Sequence, residues 1–173
     1  TTEIYTLSLH DALPISEIWF ETRTEVRDRE LKIAAGKGMK INSAKDLDVY
    51  KKSYRLAMEI FEVSKAFPAE ERFALTSQIR RSSRSVSMNL REAWAKRRYE
   101  GGFVSKLTDC DGENSETDTS LDFALDCGYI TPEQHEQFTS ECSEIGKMRG
   151  SMLRNPTPFL ISKSQHSALR PPI

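Results

Sequence analysis

Histidine is scarce in this chain: His10, His135 and His166 are the only three in 173 residues. There is no HExxH pair, no repeated Glu-x-x-His, no glycine-rich phosphate loop and no nucleophile elbow. Without a convergent set of ligands or nucleophiles, the sequence predicts no enzyme, no metal site, no catalytic residue and no cofactor. Cysteine is equally thin. Cys110, Cys127 and Cys142 form no CxxC pair and are odd in number, which points to a reducing, cytoplasmic compartment rather than a disulfide framework. No apolar run approaches the ~18 residues of a membrane span, so no membrane partner is expected. The N-terminus lacks the basic and long apolar regions of a signal peptide. Proline is missing from helix interiors. Between Met39 and Leu153 only Pro68 and Pro132 occur, and both fall at junctions between periodic segments.

What is present is charge and helical period. Charged residues make up 29% of the chain and hydrophobic ones 38%, with a formal net charge of −1. That near-neutrality hides segregation, because basic residues crowd into 75–98 and acidic ones into the stretch that follows. In 75–98, Leu75, Ile79, Ser82, Val86, Asn89 and Ala93 are spaced alternately four and three apart and form one helical stripe. Arg80, Arg84, Arg91 and Arg98 fall on the opposite side over roughly 27 Å of axis, with Arg81 beside them. Small residues on the stripe, Ser82 and Asn89 with Ser85 at its border, allow a neighbouring helix to come close. An asparagine in such a stripe can fix register or oligomer state, or bond to a bundle backbone.

Four helices are predicted. The first runs from about Asp46 to Phe67, capped by Asp46 or Ser43 and ended by Pro68. It carries two apolar stripes. Leu47, Tyr50, Tyr54, Ala57 and Phe61, with Met58 adjoining, form one; Val49, Leu56, Ile60, Val63 and Phe67 form the other. One stripe serves the core, and the second (with Leu56, Ile60 and Val63) serves either a subunit interface or a position among several helices. The second helix is predicted from near Ala69 to Arg98, with Glu70 and Glu71 in its first turn and Gly101-Gly102 breaking it. The third is predicted from Phe103 to Cys127 against its own propensities. Gly112, Asn114, Ser115, Thr117, Thr119 and Ser120 are poor helix formers, yet Phe103, Leu107, Cys110, Asn114, Thr117, Leu121 and Leu125 keep the period throughout. Gly128 is its stop. The fourth opens on Thr131-Pro132-Glu133, follows His135, Phe138, Cys142, Ile145 and Met152, and ends near Leu153. His135 reads as a core or interface residue.

The domain is thus 39–153, an all-α, antiparallel up-down-up-down four-helix bundle. Residues 1–38 read as a non-native or disordered leader with Met39 as the biological start. Residues 154–173, punctuated by proline, read as a disordered tail.

The arginine row suits phosphate contact, with no aromatic residue interleaved along it for base stacking. Its competitor is pairing with acids of the third helix: Asp109, Glu113 and Glu116 on one flank, Asp111, Asp118 and Asp122 on another.

Three segments carry a resemblance: DLDVYKKSYRLAMEIF, FPAEERFALTSQIRRSSRSVSMNLREAWAKRR and FVSKLTDCDGENSETDTSLDFALDCGYI. They resemble the four-helix bundle proteins encoded in intervening sequences of bacterial large-subunit ribosomal RNA genes, over about Asp46 to Ile130 and on to Leu153. The most specific part is Pro68, Glu71, Arg72 and Phe73; Leu75 to Arg81; and Ser85, Val86, Asn89, Leu90 and Glu92. The chain departs from the usual pattern at Arg91 and Ala93, and at Asp111-Gly112 and Ser115. That family is similar in turn to the accessory variability protein of diversity-generating retroelements. The likeness implies a homo-oligomer, a pentamer, whose basic surface engages RNA or DNA and a reverse transcriptase, and it brings no catalytic residues. The reading that results is a homo-oligomeric bundle that binds structured RNA through Arg80, Arg81, Arg84, Arg91 and Arg98. The alternative is a protein-interaction scaffold whose arginines meet carboxylates.

Overall fold

Ser43 and Asp46 set the entry to the first helix. The Ser43 hydroxyl accepts from the Lys45 N–H at 3.3 Å, and the Asp46 carboxylate accepts from the N–H groups of Asn42 and Ser43 at 2.9 and 2.8 Å. This capping box closes a 3-10 turn over Ala44–Asp46, and helix α1 follows over Asp48–Val63. The structure is a computed structural model, and residues 41–161 are the described residues. The expectations for 1–38, for Met39 and for the tail beyond 161 lie outside them.

Helices α2 (Leu75–Lys96), α3 (Glu100–Asp126) and α4 (Pro132–Arg154) complete the bundle, each packed antiparallel on the one before, with no strand among the described residues. The α1–α2 link is tighter than the sequence predicts. Residues 64–66 and 69–73 form 3-10 turns, so α1 stops short of Phe67 and α2 begins after Ala69. Pro68 holds Phe67 extended at ψ 147°, as a residue before proline must be. Glu71, outside α2, still serves it: its carboxylate accepts from the Leu75 N–H at 3.0 Å, at the helix end where donors lack partners. The chain turns over 97–99, and Gly101 and Gly102 lie in the first turn of α3 instead of breaking α2.

Helix α3 runs through its weak middle because packing and local bonding hold it. Phe103, Leu107, Cys110, Asn114, Thr117 and Leu121 are all buried. Thr108, Thr117, Thr119 and Ser120 donate their hydroxyls to carbonyls four residues back, at 2.8 to 3.1 Å, so groups that favour loops are satisfied inside the helix. Small side chains let α2 approach. The Thr117 and Ser82 hydroxyls meet at 3.0 Å, and the Cys110 thiol reaches the Val86 carbonyl at 3.6 Å. The stop is a Schellman motif. Gly128 takes φ 72°, its N–H bonds the Leu125 carbonyl, and the Tyr129 N–H bonds that of Ala124. Helix α4 begins as predicted, with a Thr131–Gln134 capping box and Pro132 in the first turn.

The two stripes of α1 share the core unequally, with Leu47 and Ala57 of the first also buried. Leu56 and Ile60 are 3% and 0% exposed and belong to the core, with Val63 packed on its edge. Of the two places expected for this stripe, a subunit interface or a position among several helices, Leu56 and Ile60 take the second, with their surface used inside the chain. Tyr54 and Met58 of the other stripe are exposed. Asn89 is half-buried and makes no hydrogen bond among the described residues, while Leu90 takes the buried position at 1% exposure. The expected buried asparagine is therefore corrected, because the core side of α2 is centred closer to Leu90 and Ser83 than the stripe through Asn89. The tail differs as well. Residues 157–159 form a 3-10 turn, Phe159 stacks on Phe103 at 6.0 Å between ring centroids, and the Ile161 N–H bonds the Arg97 carbonyl at 3.2 Å. Burial of Phe159 and Leu160 against the core outweighs the disorder expected of a proline-punctuated segment.

Candidate nucleic-acid interface

The charge separation is set by which residues each helix carries. Helix α2 holds five basic residues and the single acid Glu92; α3 holds eight acids and the single base Lys106. These two helices share the most extensive interface in the bundle, so compensation between them is available wherever side chains reach. Only Arg81 of the predicted row uses it. It pairs with Glu116, whose carboxylate also accepts from Gln78 at 2.7 Å, and lies 3.5 Å from Glu113.

The remaining arginines make no ion pair with α3 among the described residues. Arg80 is half-buried, and its Nε–H donates to the Ser64 hydroxyl at 2.7 Å. Its guanidinium lies 4.9 Å from the centroid of the Phe61 ring, and that of Arg84 lies 5.3 Å from the same ring. Lys65 adds a third cation at 4.8 Å, its ammonium paired with the Glu62 carboxylate at 2.7 Å. A ring quadrupole attracts such cations and orders them without neutralising their charge. Arg84, Arg91 and Arg98 are exposed, and none forms an ion pair among the described residues. The structure thus gathers Arg80 and Arg84 on Phe61, continues the α2 stripe to Arg91, sets Arg98 in the turn after α2 rather than on the expected helix, and pairs Arg81 with carboxylates.

Arg97, next in sequence to Arg98, has a different task. It is half-buried, donates to the Trp94 carbonyl at 2.6 Å and lies over the Trp94 ring at 4.0 Å. Burial lowers its pKa from the ordinary arginine value. Together with the Ile161 contact it fastens the end of the bundle.

Phe61 and Lys65 stand beside Arg80 and Arg84, a grouping that the sequence reading did not assign. Phe61 was visible as part of an apolar stripe on α1. Its place beside the arginines depends on the register of α1 on α2, which no local pattern encodes.

His135 is not a core residue: it lies 2.8 Å from the Asp122 carboxylate, joining α3 to α4 near the surface. Arg55 pairs with Glu141 at 3.3 Å and Lys52 with Glu144 at 2.5 Å across α1 and α4. Among the described residues no group of three or more His, Cys, Asp and Glu side chains is arranged to hold a metal. No described helix is long and apolar enough to cross a membrane.

Comparison with known proteins agrees with this architecture. A family described as 23S rRNA-intervening sequence protein matches residues 45–151. A solved structure from Bacteroides thetaiotaomicron, a protein with unknown function from the S23 ribosomal protein family, is 31% identical. The match covers 62% of this chain and 96% of that one, with a TM-score of 0.57. No curated protein matches the chain. With the matched segment spanning all four helices, the chain belongs to the 23S rRNA-intervening sequence protein family.

Proposed function

We propose that this chain is a non-enzymatic, self-associating four-helix bundle that binds structured RNA through the basic face of α2. One observation carries the reading: Arg84, Arg91 and Arg98 stay exposed and without ion pairs among the described residues, beside a helix with eight acids. Guanidinium groups left uncompensated on one stripe attract phosphates and release their counterions on binding. Arg80, steadied by Ser64 and Phe61, adds charge at one end of the stripe. Arg81 contributes least, because binding would first have to separate it from Glu113 and Glu116. The matched family's association with 23S rRNA intervening sequences supports RNA as the polyanion. The decisive variant reverses two charges, Arg84→Glu with Arg91→Glu. RNA affinity should fall by well over tenfold at low salt; affinity equal to wild type in a folded double variant would end the reading.

Self-association, with a pentamer as the order the family resemblance implies, is part of the proposal. Asn89, half-buried and without an internal bond, is the register residue available to it. Asn89→Ala should shift the sedimentation coefficient and leave the unfolding midpoint in place.

A protein scaffold is the second reading, favoured by Arg81, which already meets two carboxylates of α3. Arg84 and Arg91 would then meet acids of a second copy, or of a reverse transcriptase or another protein. In that case the double reversal changes assembly, and no RNA binding is seen in any variant.

A further inference from the structure

Tyr54 is the exposed large aromatic residue of α1, at 52% exposure, and it is stacked on Tyr50 with ring centroids 6.2 Å apart and planes 23° from parallel. Its position relative to the arginines follows from helix register. Phe61 and Arg84 meet at 5.3 Å where α1 and α2 run antiparallel. Seven residues back along α1 from Phe61 is Tyr54, and seven forward along α2 from Arg84 is Arg91. Two helical turns on each helix carry both residues the same way by about 10 Å while returning each to its own stripe. Tyr54 therefore stands level with Arg91, as Phe61 stands level with Arg84.

The two aromatic positions are not equivalent. The ring of Phe61 is surrounded by Lys65, Arg80 and Arg84 and serves as their backing. Tyr54 has Tyr50 behind it, no cation over its ring among the described residues, and half its surface in solvent. An open aromatic ring level with an uncompensated arginine on the next helix suits single-stranded nucleic acid, with the base on the ring and the phosphate on the cation.

Resting on the nucleic-acid reading above, we propose that Tyr54 stacks an unpaired base while Arg84 and Arg91 hold the flanking phosphates, so that the preferred ligand is RNA with an unpaired stretch rather than a continuous duplex. A regular duplex keeps its bases stacked inside and can meet only the arginines. The α1–α2 edge fits such a strand by charge, with Arg80, Arg84 and Arg91 on the α2 side and none of them ion-paired among the described residues.

The test compares a fluorescein-labelled oligouridine with a blunt RNA duplex of equal charge, by fluorescence anisotropy on the full chain at low salt. Tyr54→Ala should weaken the single strand by roughly tenfold and the duplex by less than about twofold, and Tyr54→Phe should restore the single strand. Arg84→Glu should weaken both. A DNA oligothymidine arm separates the two sugars: equal loss on DNA means the ring reads only unpaired bases. If Tyr54→Ala leaves oligouridine binding unchanged while Arg84→Glu weakens it, the stacking proposal falls and the phosphate reading stands. If wild type binds neither probe, both fall. If Tyr54→Ala alters sedimentation and not RNA affinity, the face belongs to a second copy and the proposal is overturned.

Discussion

Arg80 and Ser64, sixteen residues apart, meet at 2.7 Å, with the arginine Nε–H donating to the serine hydroxyl. Ser64 in turn donates to the Phe61 carbonyl at 3.1 Å. This chain of bonds pins the start of the arginine row to the last turn of α1. It sets which aromatic ring faces which cation along the whole α1–α2 edge.

Salt should reveal which arginines touch phosphate. The logarithm of RNA affinity should fall linearly with the logarithm of salt concentration, and Arg84→Ala should reduce the steepness by about one contact. Anisotropy titrations over a salt series measure this. An unchanged slope would remove Arg84 from the phosphate contacts.

Arg81 should behave differently. Its side chain is 53% exposed and its partners are carboxylates, so Arg81→Gln should cost below about 1 kcal/mol of stability. RNA affinity should stay within roughly twofold of wild type, since this guanidinium is already engaged. A loss as large as that of Arg84→Ala would place Arg81 back in the binding row.

Gly112 is in the middle of α3, and a Cβ added there would meet nothing within 4 Å. Gly112→Ala should therefore stabilise the protein by about 0.5–1 kcal/mol, through the backbone entropy of the unfolded chain. Urea unfolding reads the change, and a destabilised variant would mean that α3 needs the glycine for close approach.

Thiol chemistry should single out Cys127. Burial pushes the thiols of Cys110 and Cys142 up to about 12 each, while Cys127 is exposed. At neutral pH a thiol reagent should label Cys127 quickly and the other two only on unfolding. The sign of the pH dependence follows. With folded-state values above the ordinary ~8.5, the two buried thiols contribute stability that is complete below that pH. It is lost progressively as pH rises toward about 12. Cys110→Ser with Cys142→Ser should flatten that decline, and an identical pH profile would refute its cause.

Phe159 should matter to stability although it lies outside the four helices. Phe159→Ala removes the stack on Phe103 and part of the core cover, at a cost of about 1–2 kcal/mol. Denaturant midpoints decide it. No change would mean that 155–161 add nothing to the bundle.

Much of the fold was legible because it rests on local period and punctuation. The α3 stripe from Phe103 to Leu125 is legible against poor propensity, and its members are buried except Leu125, which packs on the edge of the core. Gly128 and Thr131 were read as stop and cap, and both perform those roles. Asn89 was misplaced because a strict four-three spacing follows one line along a helix, whereas the core side of α2 is wide enough to centre on Leu90. Residues 155–161 depart from the expected disorder because proline content describes the backbone and not whether Phe159 finds a ring to stack on.

The sequence by itself determined four helices, their order, their caps and the separation of basic from acidic charge. All of these depend on residues within a few turns of one another. Only the tertiary structure decided how the two α1 stripes share the core, which arginines are taken by carboxylates and which stand beside aromatic rings. Those outcomes depend on the register between helices, fixed by contacts such as Arg80 with Ser64 and Thr117 with Ser82. A helix displays its period in its own sequence, but its angular and axial fit to a neighbour is settled by packing of both.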